Sequence, residues 1–139
     1  MSAESRTRKP LWRRWFGNRS ERAAARFLRR KLGYRILRRN FSCPRGELDL
    51  IALDGECLVF VEVRSTEGVD AARPAESVDL LKQRRLTELA LIFLQRHGLL
   101  GRSARFDVLA VSWPPDRREP FIEHHPDAFQ PTSRFQMYT

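Results

Sequence analysis

The spacing of apolar residues near the start of the chain predicts an amphipathic helix. Between residues 19 and 32 the apolar side chains recur at the i, i+3, i+4, i+8 spacing of one helix face: Ala24, Phe27, Leu28 and Leu32. Asn18 or Ser20 suits the start of this helix as a cap, and Gly33 suits its end.

The rest of the pattern predicts strands around a second helix. That helix is expected from near Pro74 to about His97, with apolar positions at Val78, Leu81, Leu89, Ala90 and Phe93 and with Gly98 at its end. Shorter apolar runs predict strands over residues 34–41, 47–53, 57–64 and 104–113, and a last short strand over residues 121–125. Asp54-Gly55 predicts a two-residue hairpin turn between the second and third strands. Together these elements predict an α/β fold, in which helices flank a mixed central sheet in the order αβββαβ.

The length of 139 residues predicts one domain, which we place at residues 18–130. Residues 1–17 are expected to be a flexible basic arm, and residues 131–139 an irregular C-terminal tail. No apolar run approaches the roughly 20 residues needed to span a bilayer, and the N-terminus lacks the apolar run of a secretion signal. A cytoplasmic location is therefore expected, with Cys43 and Cys57 as free thiols.

Basic residues are concentrated in the first part of the chain. Residues 1–39 hold 14 Lys or Arg and 2 Asp or Glu, whereas residues 40–139 hold 12 and 15. This asymmetry favours a polyanionic partner such as nucleic acid. The residues expected to contact it lie on the two helices: Arg22, Arg26, Arg29, Arg30, Lys82, Arg84 and Arg85. The alternative is an arginine-rich composition, with 23 Arg to 3 Lys, and a basic tail without a binding role.

Carboxylates interrupt the two apolar runs that form the predicted hairpin. Glu62 lies within the apolar run at residues 58–64, and Glu47 and Asp49 lie within the preceding run. Burying an unpaired carboxylate costs several kcal/mol. A cation or a reaction is therefore the expected reason for placing acids in two neighbouring strands.

The expected hairpin register brings these carboxylates onto one face of the sheet. If Asp54-Gly55 forms a two-residue loop, Asp49 lies opposite Phe60 and diagonal to Glu62, roughly 7–8 Å away at the backbone. Carboxylates at that separation can converge on Mg²⁺ or Mn²⁺, which bind hard oxygen ligands and keep several waters. Such an ion can orient water and stabilise charge on a phosphate being cleaved. The alternative is a structural cluster in which Asp49 and Glu62 pair with arginines.

Two further residues are candidates for the same site. Arg64 lies two residues after Glu62, and therefore on the same face, from which it could contact the scissile phosphate. Glu21 lies on the apolar side of the first helix, three residues before Ala24. The alternative role of Glu21 is to interact with the helix dipole in the first turn.

The segments Gly46-Glu47-Leu48-Asp49-Leu50-Ile51-Ala52 and Val59-Phe60-Val61-Glu62-Val63-Arg64 resemble the core motif of the YraN-type family of predicted endonucleases. This family belongs to the PD-(D/E)xK nuclease superfamily and is similar to archaeal Holliday-junction resolvases. The resemblance covers about residues 18–130. It extends to Glu21 and Ala24, Gly33-Tyr34, Asn40, and residues 73–76, 82–85, 105–108 and 122–129.

The resemblance implies a restriction-endonuclease-like core and a set of site residues. Asp49 and Glu62 would be metal ligands, the carbonyl of Val63 a further ligand, and Glu21 the helix-borne acid that completes the catalytic site. Glu47 is a weaker candidate for a role near the metal. The implied cofactor is Mg²⁺ or Mn²⁺, and the implied partner is branched or otherwise structured DNA. RNA stays open as a partner, and a two-fold symmetric homodimer would suit a junction substrate.

Arg64 departs from the family pattern, in which the final motif residue is usually Lys. A lysine can lose its proton and help to activate water, whereas an arginine stays protonated in proteins. Arg64 can still orient water or stabilise the transition state, and Lys82 is a candidate to compensate. The leading hypothesis is a metal-dependent endonuclease. The alternatives are a nuclease-fold module that binds nucleic acid without cleaving it, and a protein-interaction domain whose basic arm binds RNA.

Overall fold

A five-stranded mixed sheet with a helix on each face forms the part of the chain that the computed structural model describes, residues 11–66 and 78–132. The elements are α1 Leu11–Arg30, β1 Arg35–Cys43, β2 Gly46–Asp54, β3 Cys57–Thr66, α2 Leu80–Arg96, β4 Ala104–Ser112 and β5 Phe121–Phe129. The strands lie in sequence order across the sheet, and of the four neighbouring pairs only β3–β4 is parallel. The predicted α/β class and the order αβββαβ are confirmed. Within the described residues, no helix is both long and apolar enough to cross a bilayer.

Alternation of side chains along the strands divides the interior into two apolar layers, one under each helix. α1 packs on the face that carries Leu50, Val61 and Leu109. α2 packs on the opposite face, where the ring of Phe93 meets that of Phe60 edge to face, with centroids 6.1 Å apart. β4 contributes buried side chains to both layers, because it lies inside the sheet between β3 and β5.

Helix α1 begins at Leu11 rather than near residue 19, so residues 11–17 of the predicted basic arm are helical. Its early apolar residues have i, i+4 spacing that the intervening arginines obscure: Leu11, Trp12, Trp15 and Phe16. Ser20 and Asn18 therefore lie inside the helix, and neither caps it. The remainder of the predicted arm, and residues 133–139 of the predicted tail, lie outside the described residues.

The end of α1 follows the prediction. Gly33 has a φ of 72°, in the left-handed region that favours glycine. The amide of Tyr34 donates to the carbonyl of Leu28 at 2.9 Å, and this hydrogen bond closes the turn that follows the helix. This turn directs the chain from α1 into β1, which forms one edge of the sheet.

The β2–β3 hairpin has a different turn and register from the prediction. Its two loop residues are Gly55 and Glu56, and Asp54 pairs with Cys57. Gly55 has a φ of 61°, whereas Glu56 does not have a positive φ. This matches the type II′ hairpin turn, which favours glycine at its first loop position. The register therefore moves by two residues, and the cross-strand partners change accordingly.

Helix α2 begins at Leu80 rather than near Pro74, which lies outside the described residues. Asp79 caps the helix by accepting a hydrogen bond from the amide of Lys82 at 2.8 Å. The predicted end is confirmed, because Gly98 follows the last turn with a φ of 65°.

The apolar face of α2 differs from the prediction in its first turn. Leu81 is exposed, and it shares its side of the helix with the exposed residues Arg84 and Arg85, three and four positions later. The other predicted apolar residues of this segment are buried: Val78, Leu89, Ala90 and Phe93. Val78 belongs to the core but precedes the helix.

A buried ionic network around Asp107 joins β4 to β5. Strand β5 is longer than the predicted strand at residues 121–125. The carboxylate of Asp107 accepts hydrogen bonds from Arg105 Nε and from the amide of Asp127, each at 2.9 Å. It also lies 2.7 Å from His124 Nε2. Arg105 donates in turn to the hydroxyl of Tyr34 at 2.8 Å. Burial raises the pKa of Asp107, but these donors outweigh burial and hold that pKa below its ordinary value.

The variant Asp107→Asn should lower the free energy of unfolding by about 3 kcal/mol at neutral pH, because it removes a buried counter-charge from Arg105. Since the folded-state pKa of Asp107 is lowered, its contribution is present above the ordinary value of 3.8 and is lost as the pH falls through the folded-state value. Urea denaturation of both proteins at neutral pH and in strong acid measures this difference. The exposed Asp116→Asn should behave as wild type, and a gap of equal size at both pH values would contradict the prediction.

Candidate metal centre and active site

A cleft of about 450 Å³ opens between the two helices, where β2 begins and β3 ends. α1 contributes Ser20 and Glu21 to its wall, and α2 contributes Lys82 and Arg85. The strands contribute Glu47, Asp49, Glu62, Val63 and Arg64. The structure therefore brings all four predicted catalytic residues to one cleft, although they come from one helix and two strands.

The end of the β2–β3 pairing positions Asp49. The paired register ends at Leu50 and Val61, so Asp49 and Glu62 lie just beyond its last pair, and Phe60, the predicted partner of Asp49, pairs with Ile51 instead. The amide of Val63 donates to Asp49 Oδ2 at 2.8 Å. The Asp49 side chain thus holds the end of β3 next to β2 and fixes its own carboxylate at the floor of the cleft.

Three carboxylates converge in the cleft, and they are not the set that the sequence predicted. Oxygen atoms of Glu21, Glu47 and Asp49 all lie within 4.8 Å of one another. Glu47, the weaker candidate, belongs to this cluster, whereas Glu62 does not. Glu21 is buried, Asp49 is half-buried and Glu47 is exposed, so the cluster spans the wall of the cleft from the interior to the solvent.

Glu62 is instead paired with basic residues. Its Oε2 atom lies 2.8 Å from Lys82 Nζ and 3.9 Å from the guanidinium of Arg64. Only 8% of the Glu62 side chain is exposed, whereas that of Lys82 is 44% exposed. The buried Glu62 carboxylate is therefore satisfied by an ion pair with Lys82 of α2. Lys82 and Arg64 together form the basic side of the cleft.

The donor set of the three-carboxylate cluster fits a small hard cation. Mg²⁺ and Mn²⁺ bind carboxylate oxygens and keep several waters, which an open cleft can provide. Three like charges at this separation repel one another, and a divalent ion between them would relieve the repulsion. Glu21, Glu47 and Asp49 are therefore the residues that could hold a metal here.

The basic residues predicted to contact nucleic acid fall into two groups. On α1, the side chains of Arg22, Arg26, Arg29 and Arg30 are all exposed, on the side away from the sheet. On α2, Lys82 and Arg85 line the cleft, whereas Arg84 does not contribute to its wall. Arg85 lies against Gly46, where an added Cβ would come within 3.5 Å of its side chain and where the φ of 142° also favours glycine.

A hydrogen-bonded chain beside the cleft was not predicted from the sequence. Ser20 Oγ lies 2.8 Å from Ser65 Oγ and accepts a hydrogen bond from Trp113 Nε1 at 2.9 Å. It ties α1 to the ends of β3 and β4, next to Glu21. The signal available in the sequence was a serine four residues before Ala24, on the inner side of α1, which is better explained by a buried hydrogen-bond partner than by a helix cap.

Comparison with known proteins covers the part of the chain that forms this cleft. Residues 20–111 match the model of the Uncharacterised protein family UPF0102. A UPF0102 protein from Moorella thermoacetica is 50% identical over 101 residues, which cover 73% of this chain and 83% of that protein. A relative from Pelotomaculum thermopropionicum is 44% identical over 117 residues, covering 84% and 97%. One from Myxococcus xanthus is 42% identical over 120 residues, covering 86% and 93%. The chain therefore belongs to the uncharacterised protein family UPF0102.

Proposed function

We propose that this protein is a metal-dependent endonuclease of the PD-(D/E)xK type, acting on branched or otherwise structured DNA. The observation that carries the proposal is the convergence of Glu21, Glu47 and Asp49 within 4.8 Å, in a cleft that also contains Arg64 and Lys82. Acids that can hold a metal, next to cations that can hold a phosphate, are the groups that phosphodiester hydrolysis requires. The resemblance of the strand motifs to YraN-type nucleases supports the same interpretation.

The three-carboxylate cluster would hold Mg²⁺ or Mn²⁺. Glu62 and the carbonyl of Val63, which the family resemblance implies as ligands, line the same cleft and stay candidates for the coordination sphere. When bound, the ion would orient water and stabilise the charge of the phosphate being cleaved. Asp49 is held for this role by its hydrogen bond from the Val63 amide, so its carboxylate needs little reorganisation.

Arg64 and Lys82 are the groups that would contact the phosphate. Arg64 keeps its charge and can donate two parallel hydrogen bonds to phosphate oxygens. Lys82 comes from α2, yet its ammonium lies 2.8 Å from Glu62, the motif acid two residues before Arg64. We infer that Lys82 takes over the role of the lysine that usually stands at the position of Arg64. It would orient the attacking water and stabilise charge at the reacting phosphate.

The charge distribution supports a DNA partner. A substrate backbone passing the cleft would meet the exposed arginines of α1 on one side and Arg84 and Arg85 of α2 on the other. RNA offers the same phosphates and is distinguished by direct competition at matched salt. Two-fold symmetric pairing of two chains would suit a four-way junction, and this homodimer stays a prediction.

A nuclease-fold module that binds without cleaving is the second candidate. The observation that favours it is Arg64 at the motif position usually held by lysine, together with the pairing of Glu62 to Lys82. Under this interpretation the ion pair is structural, and the protein binds DNA in a salt-dependent manner without metal-dependent cleavage.

Mn²⁺ should raise the thermal unfolding temperature of the wild-type protein, and Asp49→Asn should abolish this increase because it removes a central ligand. Without metal, Glu47→Gln should raise the unfolding temperature, because it removes one of three mutually repelling charges. Thermal unfolding with and without Mn²⁺ measures both effects. Glu56→Gln, in the β2–β3 turn, is the matched control and should leave both unchanged. An equal Mn²⁺ effect in wild type and Asp49→Asn would argue against the metal site.

Cleavage of four-way, flap and linear DNA should require Mg²⁺ or Mn²⁺ and should fall by at least about a hundredfold in Glu21→Gln and Asp49→Asn. Gel analysis of labelled substrates in Mg²⁺ and in EDTA gives the rates, with Glu56→Gln again as the control. The endonuclease proposal fails if none of these substrates is cut, or if both variants cut at the wild-type rate.

Lys82→Met should slow cleavage, and Arg64→Lys in the Lys82→Met background should restore part of the lost rate by returning a lysine to the motif position. Single-turnover rates of the two single variants and the double variant separate these effects from binding. If Lys82→Met cleaves normally, the proposed role of Lys82 is wrong. If the wild-type protein is silent and Arg64→Lys gains cleavage, the binding module is the better description.

A further inference from the structure

We propose that a basic groove along α1, outside the acidic cleft, binds a single-stranded segment of the nucleic acid that is cleaved. This groove, here called the α1 groove, lies between α1 and the segment at residues 113–122. The inference deepens the function proposed above and rests on it, because it assigns the path of the substrate strand beyond the cleft.

The α1 groove is continuous over most of the helix. Two cavities, of about 560 and 370 Å³, adjoin each other and share Ala23, Arg26, Glu119 and Pro120. Helix α1 forms one wall, and the connection between β4 and β5 forms the other. From Arg19 to Arg30 the helix rises about 16 Å at 1.5 Å per residue. A concave track of this length can follow several successive phosphates of one strand.

The charge of the α1 groove suits a phosphate backbone. Among the residues that line the two cavities, Glu119 is the only acid. The basic residues that line them number six: Arg19, Arg22, Arg26, Arg30, Lys31 and Arg118. Basic side chains one helical turn apart, such as Arg22, Arg26 and Arg30, form a row along the groove. A row of cations with one acid is complementary to a polyanion and not to a peptide of mixed charge.

Aromatic side chains in the α1 groove favour an unpaired strand over a duplex. Phe27 and Trp113 both line it and both are half-buried. The Phe27 ring meets the His124 ring edge to face, with centroids 6.5 Å apart, whereas the Arg19 guanidinium covers one face of the Trp113 ring at 3.4 Å, so that Phe27 is the main ring for stacking. Aromatic rings beside a cationic track are the features on which single-stranded bases stack. A duplex keeps its bases stacked inside and presents mainly phosphates to such a surface.

The α1 groove and the acidic cleft share a wall. Trp113 lines the groove, Ser20 lines the cleft, and the 2.9 Å hydrogen bond between them joins the two. Arg22 lines the groove and directly follows Glu21, which belongs to the carboxylate cluster. A strand with one phosphate in the cleft therefore reaches the groove by crossing α1 near its middle, at Ser20, Glu21 and Arg22. The segment next to the cut would be single-stranded, as in a flap or an unpaired arm of a branched substrate.

Binding of a labelled oligothymidylate to the full chain is measured in EDTA, where no cleavage occurs, as a function of salt. Arg26→Ala/Arg30→Ala should weaken binding and should reduce the slope of log K against log salt by about 1.4, because each phosphate neutralised on a single strand accounts for about 0.7 of that slope. Phe27→Leu should weaken binding several-fold without changing the slope, because it removes stacking and no charge. The matched control Arg96→Ala/Arg102→Ala removes two exposed arginines that do not line the groove, and its slope should equal that of the wild type.

The single-stranded oligonucleotide should also bind more tightly than a duplex of the same length. The proposal is overturned if both double variants have the same salt slope, or if the duplex binds as tightly as the single strand. Cleavage is scored separately with Asp49→Asn, which should lose cleavage and keep oligonucleotide binding. If the protein binds through the groove but never cleaves, only the proposed function is contradicted. If it cleaves but Arg26→Ala/Arg30→Ala leaves the salt slope of binding unchanged, only the groove proposal is contradicted.

Discussion

The free-energy cost of removing carboxylates from water is the constraint that organises this structure. Three acidic side chains in the described part of the chain are buried: Glu21, Glu62 and Asp107. Each lies where a different pair of elements meets, and each is surrounded by a different set of side chains and backbone groups. Because a buried charge without compensation is strongly destabilising, the positions of basic side chains, polar hydrogens and turns around these acids are tightly restricted.

The protein meets this constraint in two different ways. Around Asp107 the compensation is complete and fixed, through Arg105, His124 and a backbone amide, and the result is a rigid junction between strands. In the cleft the compensation is divided. Glu62 is paired with Lys82, whereas Glu21 is placed against two other carboxylates. In the function proposed above, the carboxylates of α1 and β2 would hold the metal ion, and the basic side chains of β3 and α2 would contact the phosphate.

The order of elements could be predicted because its signals are local, such as the helical spacing up to Leu32 and the glycines that end both helices. The hairpin register could not, because Asp54-Gly55 is compatible with a loop that begins at either residue, and a shift of one changes every cross-strand partner by two positions. That shift overturns the predicted pairing of Asp49 with Phe60, which pairs with Ile51 instead. The pairing of Glu62 with Lys82 depends on how α2 crosses the sheet, and no local pattern encodes such a contact. The clustering of Glu47 with Glu21 depends in the same way on how α1 packs against the sheet.

The parallel pairing of β3 with β4 has a consequence for how the site is assembled during folding. β1, β2 and β3 are joined by two-residue turns, so their antiparallel pairing needs only local loop closure. β4 can pair with β3 only after the long connection that contains α2 has brought the two strands together. This step is slow because the chain loses the entropy of loop closure before the contacts between the strands form. The fast step therefore brings together the acids of β2 and β3 while water still screens their repulsion. Lys82, carried on α2, arrives with the slow step.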